Sequence, residues 1–117
     1  MTVKNGLIVL FGLLFIVSCK KDMTPLPNLD CADTISYSQQ VQPFIDLNCT
    51  TSGCHDASAS GGYNLTTHSG VSNNAAIILS AINHDSGTTP MPMGGSKLPD
   101  STIQQFDCWI SQGKLDN

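Results

Sequence analysis

The feature that most constrains this chain is the placement of its five cysteines, at positions 19, 31, 49, 54 and 108. The first closes an apolar leader, which leaves at most 99 of the 117 residues for the working protein, one small domain. A domain of that size buries only about 60 to 65% of the surface its unfolded chain exposes, so a core built of side chains alone is marginal. It needs something extra: disulfides, a metal or a bound cofactor. Outside the cytoplasm each cysteine has to be lipidated, bridged, metallated or attached, because a free exposed thiol is a liability there.

Lys4 precedes the apolar run "GLIVLFGLLFIVSC", which is short for a bilayer span and has the charged and apolar regions of a secretory signal. Ile16, Val17, Ser18 and Cys19 resemble a bacterial lipobox, which implies that residues 1–18 are a lipoprotein signal peptide and that Cys19 is lipidated. The competing reading is an uncleaved anchor helix. "KKD" after Cys19 resembles a surface-export signal of bacterial lipoproteins, with a plain polar spacer as the alternative. Residues 19–30, polar and carrying two prolines, read as a lipidated tether. The expected location is therefore outside the cytoplasm, lipid-anchored to a bacterial membrane: the outer membrane, on its periplasmic or cell-surface face.

From Cys31 onward, Asp33, Asp46, Asp56, Asp85, Asp100, Asp107 and Asp116 stand against Lys97 and Lys114, with no Glu or Arg. An acidic domain of this kind argues against a nucleic-acid partner and for a soluble carrier, or a protein partner with a basic docking face.

Three helices are expected. Val41, Phe44, Ile45 and Leu47 share a short run in which Pro43 suits the first turn, so one helix runs from about Pro43 into Cys49. "NNAAIILSAINH" reads as a buried helix over 73–83. Ile103, Phe106 and Ile110 share a face over 101–112, with Ser101 and Gln104 as a possible capping box and Gly113 as the stop. "DASASGGYNL" and "HDSGTTPMPMGGSKL" read as irregular loops, and loops this long in so small an all-α domain usually wrap something.

"CTTSGCH", residues 49–55, carries the chemistry. Two thiols followed at once by His match the logic of covalent haem attachment, in which the thiols add to the haem vinyl groups and the His is carried under the iron. The usual spacing is C-x-x-C-H, and here it is C-x-x-x-x-C-H. The two extra residues fit if Thr50, Thr51, Ser52 and Gly53 bulge away, with Gly53 free to take a positive φ. Three other readings compete: a Cys49 to Cys54 disulfide, a structural zinc site, and a redox-active dithiol.

An iron held by one His takes a second ligand on its other face. "TPMPMGG" offers Met91, clamped between Pro90 and Pro92, which hold Thr89 and Met91 extended. Met93 is the alternative, but in a polyproline-like run the two side chains diverge by about 120°, so only one faces the iron. His84 reads as a helix-terminal imidazole and His68 as a solvated loop residue.

Together, "YSQQVQPFIDLNCTTSGCH", "GGYNLTTHSGV" and "MPMGGSKLPDSTIQQFDCWISQG" resemble the small class I-like c-type cytochromes of Bacteroidota and planctomycete type, from Cys31 to Gly113. "MPM" departs from the "MPP" common in those relatives. The resemblance implies a small cytochrome c-like, all-α domain over 31–117, wrapped around one covalent haem c. Cys49 and Cys54 are then the attachment thiols, His55 the proximal and Met91 the distal iron ligand. It also implies a first and last helix that cross, packing Phe44 and Ile45 against Phe106 and Ile110. If they do cross, Cys31 and Cys108 are placed to form a disulfide worth roughly 4 kcal/mol, the alternative being two buried reduced thiols. Trp109 reads as a neighbour of the haem edge by analogy, or as a partly exposed packing aromatic.

The implied function is membrane-anchored transfer of single electrons between redox partner proteins, with no substrate chemistry. Two alternatives stand beside it. One is a haem-bearing sensor or peroxidase-like protein with an open distal site; the other is a haem-free, disulfide-stapled surface lipoprotein that acts as a binding module.

Overall fold

The computed structural model describes residues 31–117. The expected signal peptide at 1–18, lipidation site Cys19 and tether at 19–30 lie outside the described residues. Among the described residues the fold is all-helical, without strands.

A π turn over Tyr37–Val41 runs directly into α1, Gln42–Asn48. Pro43 explains the junction, since it has no N–H and its ring crowds the carbonyl four residues back. The wider turn ahead of it, in which Gln42 N–H reaches Tyr37 O, brings the chain into α1 in helical form. Ser36 caps this run, its hydroxyl accepting from Gln39 N–H at 3.3 Å.

The expected middle helix is present as a single helix, and a further short helix precedes it. α2, His68–Asn73, is capped by the Thr67 hydroxyl, and α3, Ala75–Asn83, follows after a break at Asn74. Gly70 obscures α2 in the sequence because glycine is a poor helix former. The position requires it: a Cβ there would lie 2.1 Å from the carbonyl oxygen of Asn64. His68 is thus a half-buried helix residue and not a solvated loop residue, with its Nε2 donating to Lys114 O at 2.9 Å.

α4 spans Asp100–Ser111. It starts one residue earlier than expected, after Pro99, and no side chain caps it, so the Ser101–Gln104 box does not form. Pro99 sets the start, because its carbonyl accepts from Thr102 N–H at 2.9 Å. α4 packs on α3 and on the π turn.

The core is an aromatic stack fixed by α4. Trp109 is fully buried, which corrects the partly exposed reading, and its Nε1–H donates to Leu115 O at 2.9 Å. Its ring lies 5.4 Å from Phe106 and 5.6 Å from Tyr37, and Phe106 meets Phe44 edge-on at 5.5 Å. The first helical run and the last are therefore packed together through Phe44 and Phe106. Each such ring pair adds about 0.5 to 1.5 kcal/mol beyond its area burial.

Cys31 and Cys108 are joined by a disulfide, with Cα atoms 5.2 Å apart. Around it the two ends of the domain are laced together. Gln112 accepts from Ile35 N–H at 2.8 Å and donates to Asp33 O at 2.8 Å, and Asn117 Oδ1 accepts from Tyr37 N–H at 2.9 Å. Among the described residues no helix is long and apolar enough to cross a membrane.

Candidate functional site

The end of α1 delivers Cys49, whose N–H still donates to Ile45 O at 2.8 Å. The chain then turns back on itself: His55 N–H donates to Cys49 O at 3.0 Å, which closes a loop with residues 50–53 bulging between the two thiols. Gly53 takes φ +82°, a conformation that glycine adopts at no steric cost. The bulge is stitched by Asp56. Its carboxylate accepts from the Ser58 hydroxyl, from Ser58 N–H at 2.9 Å and from Gly53 N–H at 3.1 Å. These bonds, the Ser58 hydroxyl first, hold the Asp56 carboxyl below its ordinary value.

Cys49 and Cys54 stand unbridged. Cys49 packs at the edge of the core, and Cys54 is exposed. Burial, followed by the neighbouring Cys54 and Asp46, pushes the Cys49 thiol up to about 11. At that value Cys49 is protonated at neutral pH and is not itself an activated nucleophile. Among the described residues no three His, Cys, Asp or Glu side chains come together as a metal site.

His55 is held by the glycine loop that follows. Gly61 N–H donates to Cys54 O at 2.8 Å, and Leu65 N–H donates to His55 O at 3.0 Å. The Nδ1 atom of His55 lies 3.1 Å from Tyr63 O. A carbonyl can only accept, so Nδ1 carries the proton and Nε2 keeps its lone pair. The Tyr63 ring stacks on the imidazole at 6.2 Å. Gly61 backs it so closely that a Cβ would lie 2.9 Å from both Cε1 and Nδ1.

Cys49, Cys54 and His55 are thus brought together in one closed loop. Met91 is placed separately, in the loop after α3, where its N–H donates to Ala81 O at 3.0 Å and its carbonyl accepts from His84 Nε2 at 3.1 Å. The Met91–Pro92 peptide is cis. Met91 is partly buried, and Met93 is 75% exposed.

Sequence reasoning missed Asp56, Gly61 and the Tyr63 carbonyl. The first had a signal in its D-x-S pattern, which favours a side-chain-capped turn. The glycine pair before Tyr63 was the signal for the other two.

Compared with known proteins, the chain matches no family model, no curated protein and no solved structure.

Proposed function

We propose that the chain is a lipid-anchored, mono-haem c-type cytochrome that carries single electrons. Cys49 and Cys54 would hold haem c through thioethers, with His55 and Met91 as the iron ligands and Met93 as the alternative to Met91. In this reading residues 1–18 are the lipoprotein signal peptide, Cys19 carries the lipid, 19–30 are the tether and 31–117 form the haem domain. The anchor places it at the outer membrane, on the periplasmic or cell-surface face.

The observation that carries the reading is the state of His55. Its Nδ1–H is bound to the Tyr63 carbonyl, which orients the ring and leaves Nε2 as the nitrogen that would bind a metal. Beside it stand two unbridged thiols in a loop whose ends are pinned together. When bound, haem supplies a one-electron ferric and ferrous couple whose potential follows its axial ligands. This chain's residues orient the imidazole, present the thiols and support the distal loop. With His55 and Met91 both bound to the iron, no open site would be left for substrate chemistry.

The charge distribution supports a basic partner. Of the two lysines in the described residues, Lys97 is paired with Asp100 at 3.3 Å and Lys114 Nζ donates to Ser72 O at 3.3 Å. An open groove of about 400 Å³ between α3 and α4 is rimmed by Asp85, Asp100 and Asp107. Such a surface steers encounter with a positively charged docking face.

The test is a haem-stained denaturing gel of the exported chain, matured with the cytochrome c attachment machinery, beside a Cys49→Ser, Cys54→Ser variant. A stained wild-type band that disappears in the variant is the expected result. A folded, unstained wild type would sink the reading and leave a haem-free surface lipoprotein. Covalent haem without thioether ligation would instead favour the open-site sensor or peroxidase-like alternative.

A further inference from the structure

We infer that His84 is a positioning residue for Met91: its imidazole pins the main chain of the distal loop to the end of α3. This rests on the reading of Met91 as an iron ligand, and it assigns that role to Met91 over Met93.

α3 ends at Asn83, and His84 follows in the left-handed region with φ 62° and ψ 39°. Glycine or asparagine is the usual residue at such a helix end, and another side chain there costs about 1 to 2 kcal/mol. Backbone held in a sparsely populated region is a pointer to function. Here the side chain has a task that glycine could not perform. Nε2 lies 3.1 Å from Met91 O, and since the carbonyl only accepts, Nε2 carries the proton and donates.

The other polar group of the Met91 backbone is held by the same turn, as its N–H donates to Ala81 O at 3.0 Å. The start of the intervening loop is also tied down, with Asp85 N–H on Ser80 O at 3.0 Å and Asn83 Nδ2 on Asp85 Oδ1 at 2.7 Å. Met91 is therefore the residue of "MPM" whose backbone N–H and carbonyl are both held. Met93 lies beyond the clamp and projects into solvent, 75% exposed. A thioether is a weak ligand, and a weak ligand depends on a backbone that already holds it in place.

The experiment compares His84→Gly and His84→Gln in the full, exported, haem-matured chain. Glycine suits the left-handed backbone and removes the imidazole; glutamine tolerates that backbone poorly but returns an amide donor to about the place of Nε2. A residue that only ends the helix predicts that glycine does at least as well as histidine and better than glutamine. A positioning residue predicts the reverse for the distal ligand. H84G should keep its haem stain but lose most of the thioether-to-iron charge-transfer band and show a lowered reduction potential, and H84Q should recover much of both. Amide exchange at Met91 should quicken about five- to tenfold in H84G, the loosening expected for one lost hydrogen bond. A band, potential and Met91 exchange rate unchanged in H84G would overturn the inference. If the wild type carries no covalent haem, the electron-carrier reading fails, and the Met91 exchange rate still decides whether His84 pins the loop.

Discussion

Around α4 the chain buries Trp109, Phe106 and Cys108 to 0%, 1% and 1% exposure, whereas between Cys49 and Tyr63 not one side chain is fully buried. The α4 end is held by apolar contact and a disulfide. The thiol loop is held by hydrogen bonds onto its own backbone, from Asp56, Gly61 and the Tyr63 carbonyl. The first arrangement gives stability that does not depend on fine geometry, because burial is non-directional. The second contributes little burial but fixes where a thiol or an imidazole is presented. In so small a domain the two tasks are divided between separate regions, and each can be attacked on its own.

The largest effect should come from the α4 end. The Cys31–Cys108 bridge spans 77 residues, and removing it with a Cys31→Ala, Cys108→Ala pair should cost ~4 kcal/mol by the chain-entropy estimate. That corresponds to a midpoint lower by about 20 °C for a domain of this size. Thermal unfolding followed by Trp109 fluorescence reads it directly. A loss below about 1 kcal/mol would show that the aromatic stack and the Gln112 and Asn117 bonds hold the termini unaided.

A smaller effect should arise where the two regions touch, at Cys49. The folded protein keeps the thiol proton to about pH 11, while the unfolded chain releases it near the ordinary value of 9.0. Between those values the unfolded state binds fewer protons, so stability falls as pH rises. It is intact below about pH 9 and lower by roughly 2 to 3 kcal/mol by pH 11. The Tyr37 phenol, raised by burial and then by Asp46 and Asp116, adds a loss of the same sign at the alkaline end. Urea midpoints measured from pH 8 to 11 on the chain with free thiols should show both. Conversion of Cys49 to a thioether should leave only the Tyr37 part. A profile no steeper than that of the thioether form would mean that Cys49 is as open as Cys54 and the loop is not seated on the core.

The same division decides what could be read from the sequence. α4 was legible because Ile103, Phe106 and Ile110 repeat at helical spacing and burial follows that period. α2 was not, because Gly70 is selected by a close approach of Asn64 O that only the fold creates. The disulfide pairing entered through family resemblance, since spacing alone does not define which cysteines meet. In the thiol loop the residue types were legible from "CTTSGCH", but their support was not. Asp56 and the Tyr63 carbonyl act through hydrogen bonds in an aperiodic segment, where no hydrophobic pattern marks a position. His84 was read as a helix terminus and missed as a partner of Met91, a contact between residues whose pairing depends on how the loop returns.

The smallest and most local test separates two adjacent glycines. Gly62 has φ +92° and open space around it, so Gly62→Ala should cost about 1 kcal/mol of backbone strain and leave the site alone. Gly61 meets the His55 ring: an added Cβ would lie 2.9 Å from Cε1 and Nδ1 and 3.0 Å from Cys54 O. Cys54 O is backbone tied to Gly61 N–H, so the imidazole is the group that has to move. Gly61→Ala should therefore disturb the Nδ1 to Tyr63 O bond, a hydrogen bond worth about 1 kcal/mol. Its effect on stability should resemble that of Gly62→Ala, while only Gly61→Ala changes the His55 ring resonances and reduces haem incorporation in the maturation assay. If both variants mature equally and the His55 ring resonances are unchanged in both, the loop does not orient the imidazole. The contrast drawn between the two ends of the molecule would then hold for burial but not for the placing of the candidate ligand.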